Sequence, residues 1–213
     1  LFMSKNRILW GVATSRTIRA HWALIELNLS YKTEIIRTRT TDTETAVFKS
    51  VNPRQKIPVL QDGTLTMGES AAIVTYLAES YSTEQVNLIP DNLKARAKYF
   101  EWISFICMEL DATSLYVLRR HWSLPEIYGD SPVANKASEE YFNRMITAAD
   151  KLKNPKQKYL LETGFSGVDI LMTTTLKWAL DYNQKIPNDF LEYLDQMGNR
   201  SGYIAAIEAN KMP

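Results

Sequence analysis

The sequence predicts an α/β domain followed by an all-helical one. Three observations carry this. Short apolar runs alternate with helical patterns in the order β-α-β-α-β-β-α over about the first eighty residues, more than one βαβ unit needs. A polar stretch ending in Pro90 then interrupts the pattern. Beyond Asp91 the apolar residues step by three to five, and no strand signal returns. The expected boundaries are 1–80 for the first domain, 81–90 for a linker and 91–213 for the second.

Residues Arg7–Val12 (RILWGV) are short and apolar and read as a buried strand. Ala13-Thr14-Ser15-Arg16 breaks the run with small hydroxyl residues of the kind that start helices. Ile18, Trp22, Ile25 and Leu29 then recur at helical spacing, and Tyr31–Arg37 reads as a second strand. Thr41-Asp42-Thr43-Glu44 carries the capping-box pattern and predicts a helix from there to about Ser50. Pro53 and Pro58 bracket a turn into Val59-Leu60. Asp62-Gly63 is a hairpin signal, with Thr64–Met67 as the returning strand. Gly68-Glu69-Ser70 opens a helix with Ile73, Val74 and Leu77 on one face. In the second domain the apolar positions from Leu93 to Trp122 predict one long helix, ended by Pro125. Ala134–Leu152 is another helix. Ser166-Gly167-Val168-Asp169 caps a third, which runs to about Tyr182. Two short helices follow Pro187 and Asn199, and there is no internal repeat.

At 213 residues, with 45% hydrophobic and 23% charged, the chain has the usual mix of a soluble globular protein. Lys+Arg is 25 and Asp+Glu 24, so the formal charge is +1 and no bulk field draws it to nucleic acid or to a membrane. No uncharged apolar run approaches the ~20 residues of a membrane helix. The single cysteine, Cys107, permits no internal disulfide and too few thiolates for a structural zinc site, so no metal is expected. The start, Leu1-Phe2-Met3-Ser4-Lys5, lacks the apolar core of a signal peptide, and a cytoplasmic protein is expected.

Three constellations bear on function. The first is Lys56-Ile57-Pro58-Val59. A cis bond before Pro58 would turn the Ile57 N–H and C=O outward, where an extended peptide docks like an added strand; the plain alternative is a proline guarding a strand entry. The second is Glu69-Ser70 at a helix mouth. Free N–H donors and the positive dipole end suit a carboxylate, Ser70 adds a hydroxyl, and Glu69 suits an ammonium; the plain alternative is an ordinary cap. The third is Thr14-Ser15-Arg16, where a hydroxyl can donate to a thiolate whose pKa the helix dipole and Arg16 or Arg19 lower further. The plain alternative there is a cap with solvated arginines. Together the three describe a short peptide with a γ-linked glutamate and a central cysteine.

On these residues the sequence resembles the cytosolic glutathione transferase family. The resemblance is carried by Asn52-Pro53-x-x-Lys56-Ile57-Pro58-Val59-Leu60, Asp62-Gly63 and Glu69-Ser70-x-Ala72-Ile73-x-x-Tyr76-Leu77. It continues in Ser15-Arg16-Thr17-x-Arg19-x-x-Trp22 through Tyr31, similar to bacterial members, and in Phe165-Ser166-x-x-Asp169, similar to the family's N-capping box. It implies a thioredoxin-like first domain, a helical second domain and a homodimer that uses glutathione as co-substrate against a small hydrophobic electrophile. The Ile57 main chain would pair with the cysteinyl part, with Pro58 cis, and Glu69 and Ser70 would hold the γ-glutamyl end. Lys56, or Gln55 beside it, would meet the glycine carboxylate, and Arg16 stands among the glutathione contacts. Thr14 or Ser15 would hydrogen-bond the thiolate. The first loop lacks the tyrosine of tyrosine-type members and the cysteine of others, so a serine-type mechanism is the expectation, with glutathione peroxidase or disulfide reductase chemistry, or non-catalytic binding, as alternatives. For the electrophile, Met108, Asp111, Leu115, Tyr116 and Arg119 lie on successive turns of the long helix; the plain alternative for the apolar ones is core packing.

Overall fold

The computed structural model describes residues 6–212. Strand β1 (Arg7–Trp10) leads through a tight loop into helix α1 (Thr17–Glu26), and β2 (Lys32–Glu34) returns parallel to β1. Helix α2 (Ala46–Val51) precedes β3 (Val59–Asp62), which pairs antiparallel with β1 and with β4 (Leu65–Gly68); α3 (Ser70–Tyr81) follows. The sheet order is β2-β1-β3-β4. This mixed sheet with its helices is the thioredoxin-like arrangement expected from the sequence. Leu9 faces Leu60 across the ladder, both fully buried, so the strand alternation sends apolar side chains beneath α1 and α3. At the hairpin, buried Asp62 accepts from the hydroxyls of Tyr76 and Tyr81 and pairs with Arg7 Nε at 3.3 Å.

One helix start differs from expectation. Thr41–Glu44 does not open α2 but forms its own 3₁₀ turn, held by Thr40 and by Asp42, which takes Arg37 Nε at 2.7 Å. The next threonine does the capping: Thr45 Oγ1 accepts from the Phe48 N–H at 3.2 Å. Thr41 and Thr45 are equally good caps by composition; in the structure Thr45 caps α2, and Thr40 and the Arg37–Asp42 pair hold the 3₁₀ turn before it.

Packing divides the described chain into two compact units: Pro90–Met197, and the segments before and after it. The helical unit holds α4 (Leu93–Phe105), which continues as π-helical turns over Ile106–Leu115, a short α stretch Tyr116–Leu118, and further π turns over Arg119–Ser123. After a single helical turn over Pro125–Tyr128, its other helices are α5 (Pro132–Leu152), α6 (Gly167–Asp181) and α7 (Asn188–Gly198). Ser166 and Asp169 form the expected reciprocal capping box. The final helix, α8 (Ser201–Ala209), packs on α1 in the first unit. Trp22 and Tyr203 rings lie 4.7 Å apart, and Arg200 grips Glu26 with Nε at 3.0 Å and Nη2 at 2.9 Å. Among the described residues no helix is long and apolar enough to cross a membrane.

Candidate functional site

Three segments of the first unit converge. Gly11, at φ +114°, lies so close to Ile57 that a Cβ there would stand 2.6 Å from Ile57 Cβ; only glycine permits that approach. Arg54 reaches Glu69 Oε1 at 2.9 Å, and Arg19 donates to Ser70 Oγ at 3.1 Å. The loop after β1, the turn before β3 and the start of α3 are thus tied together by neighbouring residues.

At the turn, the Ile57–Pro58 bond is cis. Asn52 organises the approach: its Nδ2 donates to the Lys56 carbonyl at 2.8 Å and its Oδ1 accepts from the Arg54 N–H at 3.1 Å. Gln55 adopts φ 53°, and Gln55 and Lys56 are exposed. Neither the N–H nor the C=O of Ile57 has a hydrogen-bond partner among the described residues. A half-buried peptide unit with both groups unpaired is a docking edge for an extended ligand.

The start of α3 is similarly open. Glu69 precedes it at φ 66°, ψ 109° and does not cap it, so the N–H groups of Ser70, Ala71 and Ala72 have no partner among the described residues. The Glu69 carboxylate is exposed and shared only with Arg54, itself exposed, whereas Ser70 is buried. Free donors, a hydroxyl, a carboxylate and a guanidinium within one turn suit a ligand end carrying both an ammonium and a carboxylate.

The first loop separates its two hydroxyls. Thr14 Oγ1 accepts from the N–H groups of Thr17 at 3.0 Å and Arg16 at 3.3 Å and shares a hydrogen bond with Thr17 Oγ1 at 2.9 Å, so it serves as the helix cap. The Ser15 hydroxyl, half-buried one residue later, makes no hydrogen bond to any described residue. Arg16 sits at the N-cap of α1. Arg19 is not a solvated arginine beside the loop: it is 1% exposed and engaged with Ser70. Behind the loop, fully buried His21 contacts the Gly11 carbonyl at 3.4 Å and Tyr31 Oη at 2.8 Å. The carbonyl only accepts, so Nε2 carries the proton and Nδ1 accepts from the tyrosine. Burial lowers the His21 pKa to about 4 against the opposing pull of the Gly11 carbonyl, so the ring is neutral at pH 7.

The five residues expected to face an electrophile are all in the helical unit but do not share an environment. Met108 is 60% exposed; Asp111 and Leu115 are buried, at 2% and 0%. Tyr116 and Arg119 are half-buried, and the Arg120 guanidinium lies 5.0 Å from the Tyr116 ring centroid. The i→i+5 winding of Ile106–Leu115 turns each residue through less than the 100° of an α-helix, so positions spaced for one α-helical face drift off it. Sequence reasoning missed Gly11, Thr17, Arg54 and Asn210. Gly11, Thr17 and Arg54 lie inside quoted stretches without being singled out, and nothing in the sequence marks Asn210, which hydrogen-bonds Thr14 and Thr17 from the far end of the chain.

A family model described as "Glutathione S-transferase, N-terminal domain" matches residues 15–80. Over those residues the chain is similar to glutathione S-transferase N-terminal domains. It is 29% identical to glutathione S-transferase theta-1 of Rattus norvegicus over 48% of this chain and 42% of that one. To the dichloromethane dehalogenase of Methylophilus leisingeri it is 30% identical, over 59% of this chain and 47% of that one. The matched part thus spans less than half the length of these curated relatives. Among solved structures, a glutathione transferase from Pseudomonas putida, with one glutathione disulfide bound per subunit, superposes with a TM-score of 0.83. That match covers 99% of this chain and 94% of the other at 18% identity, a likeness of fold. The matched residues 15–80 contain Ser15, the Gln55–Pro58 turn and the Glu69-Ser70 helix mouth.

Proposed function

We propose that this protein is a glutathione transferase that activates the thiolate with Ser15 and adds it to a small hydrophobic electrophile. The observation carrying this reading is the convergence, in one unit, of an unpaired Ile57 peptide, an uncapped α3 start beside Glu69, and a single unengaged hydroxyl at Ser15. The Ile57 N–H and C=O take the cysteinyl residue as an added strand. The α3 N–H groups and Ser70 take the γ-glutamyl carboxylate, and Glu69 takes its ammonium. Gln55 or Lys56 meets the glycine carboxylate, and Arg16 adds positive potential beside the loop.

A free cysteine-type thiol has a pKa of about 8.5, so little of it is ionised at pH 7. A hydrogen bond to a charged acceptor contributes about 1.5–3 kcal/mol, equal to about one to two pKa units. The first-turn dipole of α1 adds to it. The thiol proton leaves to solvent. The thiolate attacks the electrophilic carbon, a C–S bond forms, and the leaving group departs with its electron pair. The first loop holds no cysteine, so a mixed disulfide between glutathione and this loop is not part of the reaction. Met108, Tyr116 and Arg119 remain the proposed electrophile contacts; buried Leu115 and Asp111 shape the helix that carries them. The family resemblance also supports a homodimer acting in the cytoplasm on reactive, potentially toxic small molecules.

Calorimetry with reduced glutathione, followed by turnover of an aryl halide, tests the reading. Saturable binding with turnover supports a transferase. Binding without turnover on electrophiles or hydroperoxides indicates a binding protein, and absence of heat at millimolar glutathione removes the reading altogether.

A further inference from the structure

The end of α8 is tied to the first loop by three hydrogen bonds across nearly the whole sequence. The Ala13 N–H donates to the Asn210 carbonyl at 2.8 Å, Asn210 Nδ2 donates to the Thr14 carbonyl at 3.2 Å, and Thr17 Oγ1 lies 2.6 Å from Asn210 Oδ1. The Thr14 carbonyl only accepts, so the amide must present Nδ2 to it and Oδ1 to Thr17. Oδ1 only accepts in turn, so the one proton of the Thr17 hydroxyl belongs to Asn210. Thr17 Oγ1 is then left as an acceptor, and it receives the Thr14 N–H at 3.0 Å and the Thr14 hydroxyl at 2.9 Å.

We propose that Asn210 is a positioning residue: by taking the Thr17 proton it turns the Thr14 hydroxyl inward and leaves Ser15 as the hydroxyl of the loop presented to a thiolate. The inference rests on the transferase reading above. Two further observations support it. Ala13 is held at φ 60°, outside the usual range of a non-glycine residue, and its N–H is the one that Asn210 binds. The Trp22–Tyr203 contact and the Arg200–Glu26 pair already fasten α8 to α1, so the helix is docked independently of the Asn210 amide. Without the amide, the Thr17 proton is free to turn to the Thr14 carbonyl 3.0 Å away or to Thr14 Oγ1, and the Thr14 hydroxyl is free to compete with Ser15.

The test is ultraviolet titration of bound glutathione in wild type, Asn210→Ala, Thr17→Val and Tyr203→Leu, with kinetics and melting temperatures alongside. Asn210→Ala and Thr17→Val should each raise the apparent thiol pKa by about one unit, which lowers the thiolate fraction below that pKa about tenfold. kcat should fall about tenfold while KM for glutathione stays within about twofold. Tyr203→Leu, which loosens α8 without touching the amide, should lower the melting temperature and leave the thiol pKa unchanged. Should Asn210→Ala fail to fold, Thr17→Val alone decides, because it keeps the side-chain shape while removing the hydroxyl that gives its proton to Asn210 and holds the Thr14 hydroxyl inward. An unchanged pKa in the variants that fold, or a Tyr203→Leu shift as large as theirs, overturns the proposal. Failure of the underlying reading shows separately, as wild-type protein that forms no thiolate with glutathione; that result removes both.

Discussion

At the start of α6, the Ser166 hydroxyl and the Asp169 carboxylate are fully engaged inside the helical unit. Asp169 accepts from the Leu160 N–H at 3.0 Å, the Ser166 N–H at 2.9 Å, Ser166 Oγ at 3.1 Å and the Tyr193 hydroxyl at 2.8 Å, and is completely buried. At the start of α1, Thr14 and Thr17 do the same capping work, yet the hydroxyl between them, Ser15, is left over in a half-buried loop. Hydroxyl-rich helix starts therefore divide by whether every polar group is satisfied. A closed set contributes stability alone, and an open one leaves a donor for a ligand.

The strongest way to break the comparison is to open the closed set. Asp169→Ala strands four buried donors and should destabilise the protein by about 3–5 kcal/mol, read from urea unfolding. A change below about 1 kcal/mol would mean the box is no more structural than the α1 start.

Acid titration sharpens it next. Burial raises the Asp169 pKa from 3.8 to about 6, against the pull of its four hydrogen bonds. The native state then binds that proton more readily than the unfolded chain, so this contribution is full below 3.8 and is lost as pH rises to about 6. His21, lowered from 6.5 to about 4, acts oppositely: its contribution is full above 6.5 and is lost as pH falls towards 4. The two contributions therefore oppose one another in the intact protein between pH 4 and 6. His21→Gln should expose the Asp169 slope, with stability falling from pH 4 to 6. Asp169→Asn should expose the His21 slope, with stability rising over the same range. Slopes of the same sign in the two variants would contradict the assignment.

Ser15→Ala comes third. It should leave the unfolding free energy within about 0.5 kcal/mol, because no hydrogen bond is lost, yet raise the thiol pKa of bound glutathione by about one to two units and lower kcat about 10- to 100-fold. A stability loss as large as that of a capping residue would show that Ser15 belongs to the closed class.

The sheet, its hairpin and the α6 box were legible because each rests on a local pattern: an apolar run, Asp62-Gly63, Ser166-x-x-Asp169. The Ile57–Pro58 turn was legible because an X-Pro bond before a strand favours a cis peptide, and the α3 start was legible from Gly68-Glu69-Ser70 before the helical spacing of Ile73, Val74 and Leu77. Two kinds of feature were not. Thr41 and Thr45 compete as caps by composition, and nothing local in the sequence says that Thr45 takes the role. Asn210 meets Thr14 and Thr17 from the far end of the chain, and a lone asparagine after a helix carries no signal of such a partner. The long helix shows a third limit. Its apolar spacing correctly announced a helix, but π-helical turns change which residues share a face, and Leu115, grouped with the pocket candidates, is fully buried, as the core-packing alternative for it allowed.

The smallest expected effect concerns the third helix start, which has no side-chain cap at all. Glu69 stands before α3 at φ 66°, ψ 109°, a conformation that costs a residue with a Cβ about 1–3 kcal/mol. Its side-chain partner among the described residues is the exposed Arg54, a pair contributing at most about 1 kcal/mol. Glu69→Gly relieves the strain, while the greater freedom of glycine in the unfolded chain takes back about 1 kcal/mol. The net expectation is a protein as stable as wild type or about 1 kcal/mol more so, with glutathione affinity reduced about tenfold by loss of the ammonium partner. Glu69→Gln keeps the strain and removes only the charge, so it should lose affinity with no gain in stability. Thermal melts and calorimetry on the pair separate strain from charge. If Glu69→Gly binds glutathione as well as wild type, the carboxylate holds no ligand, and the α3 start joins α6 as a purely structural element.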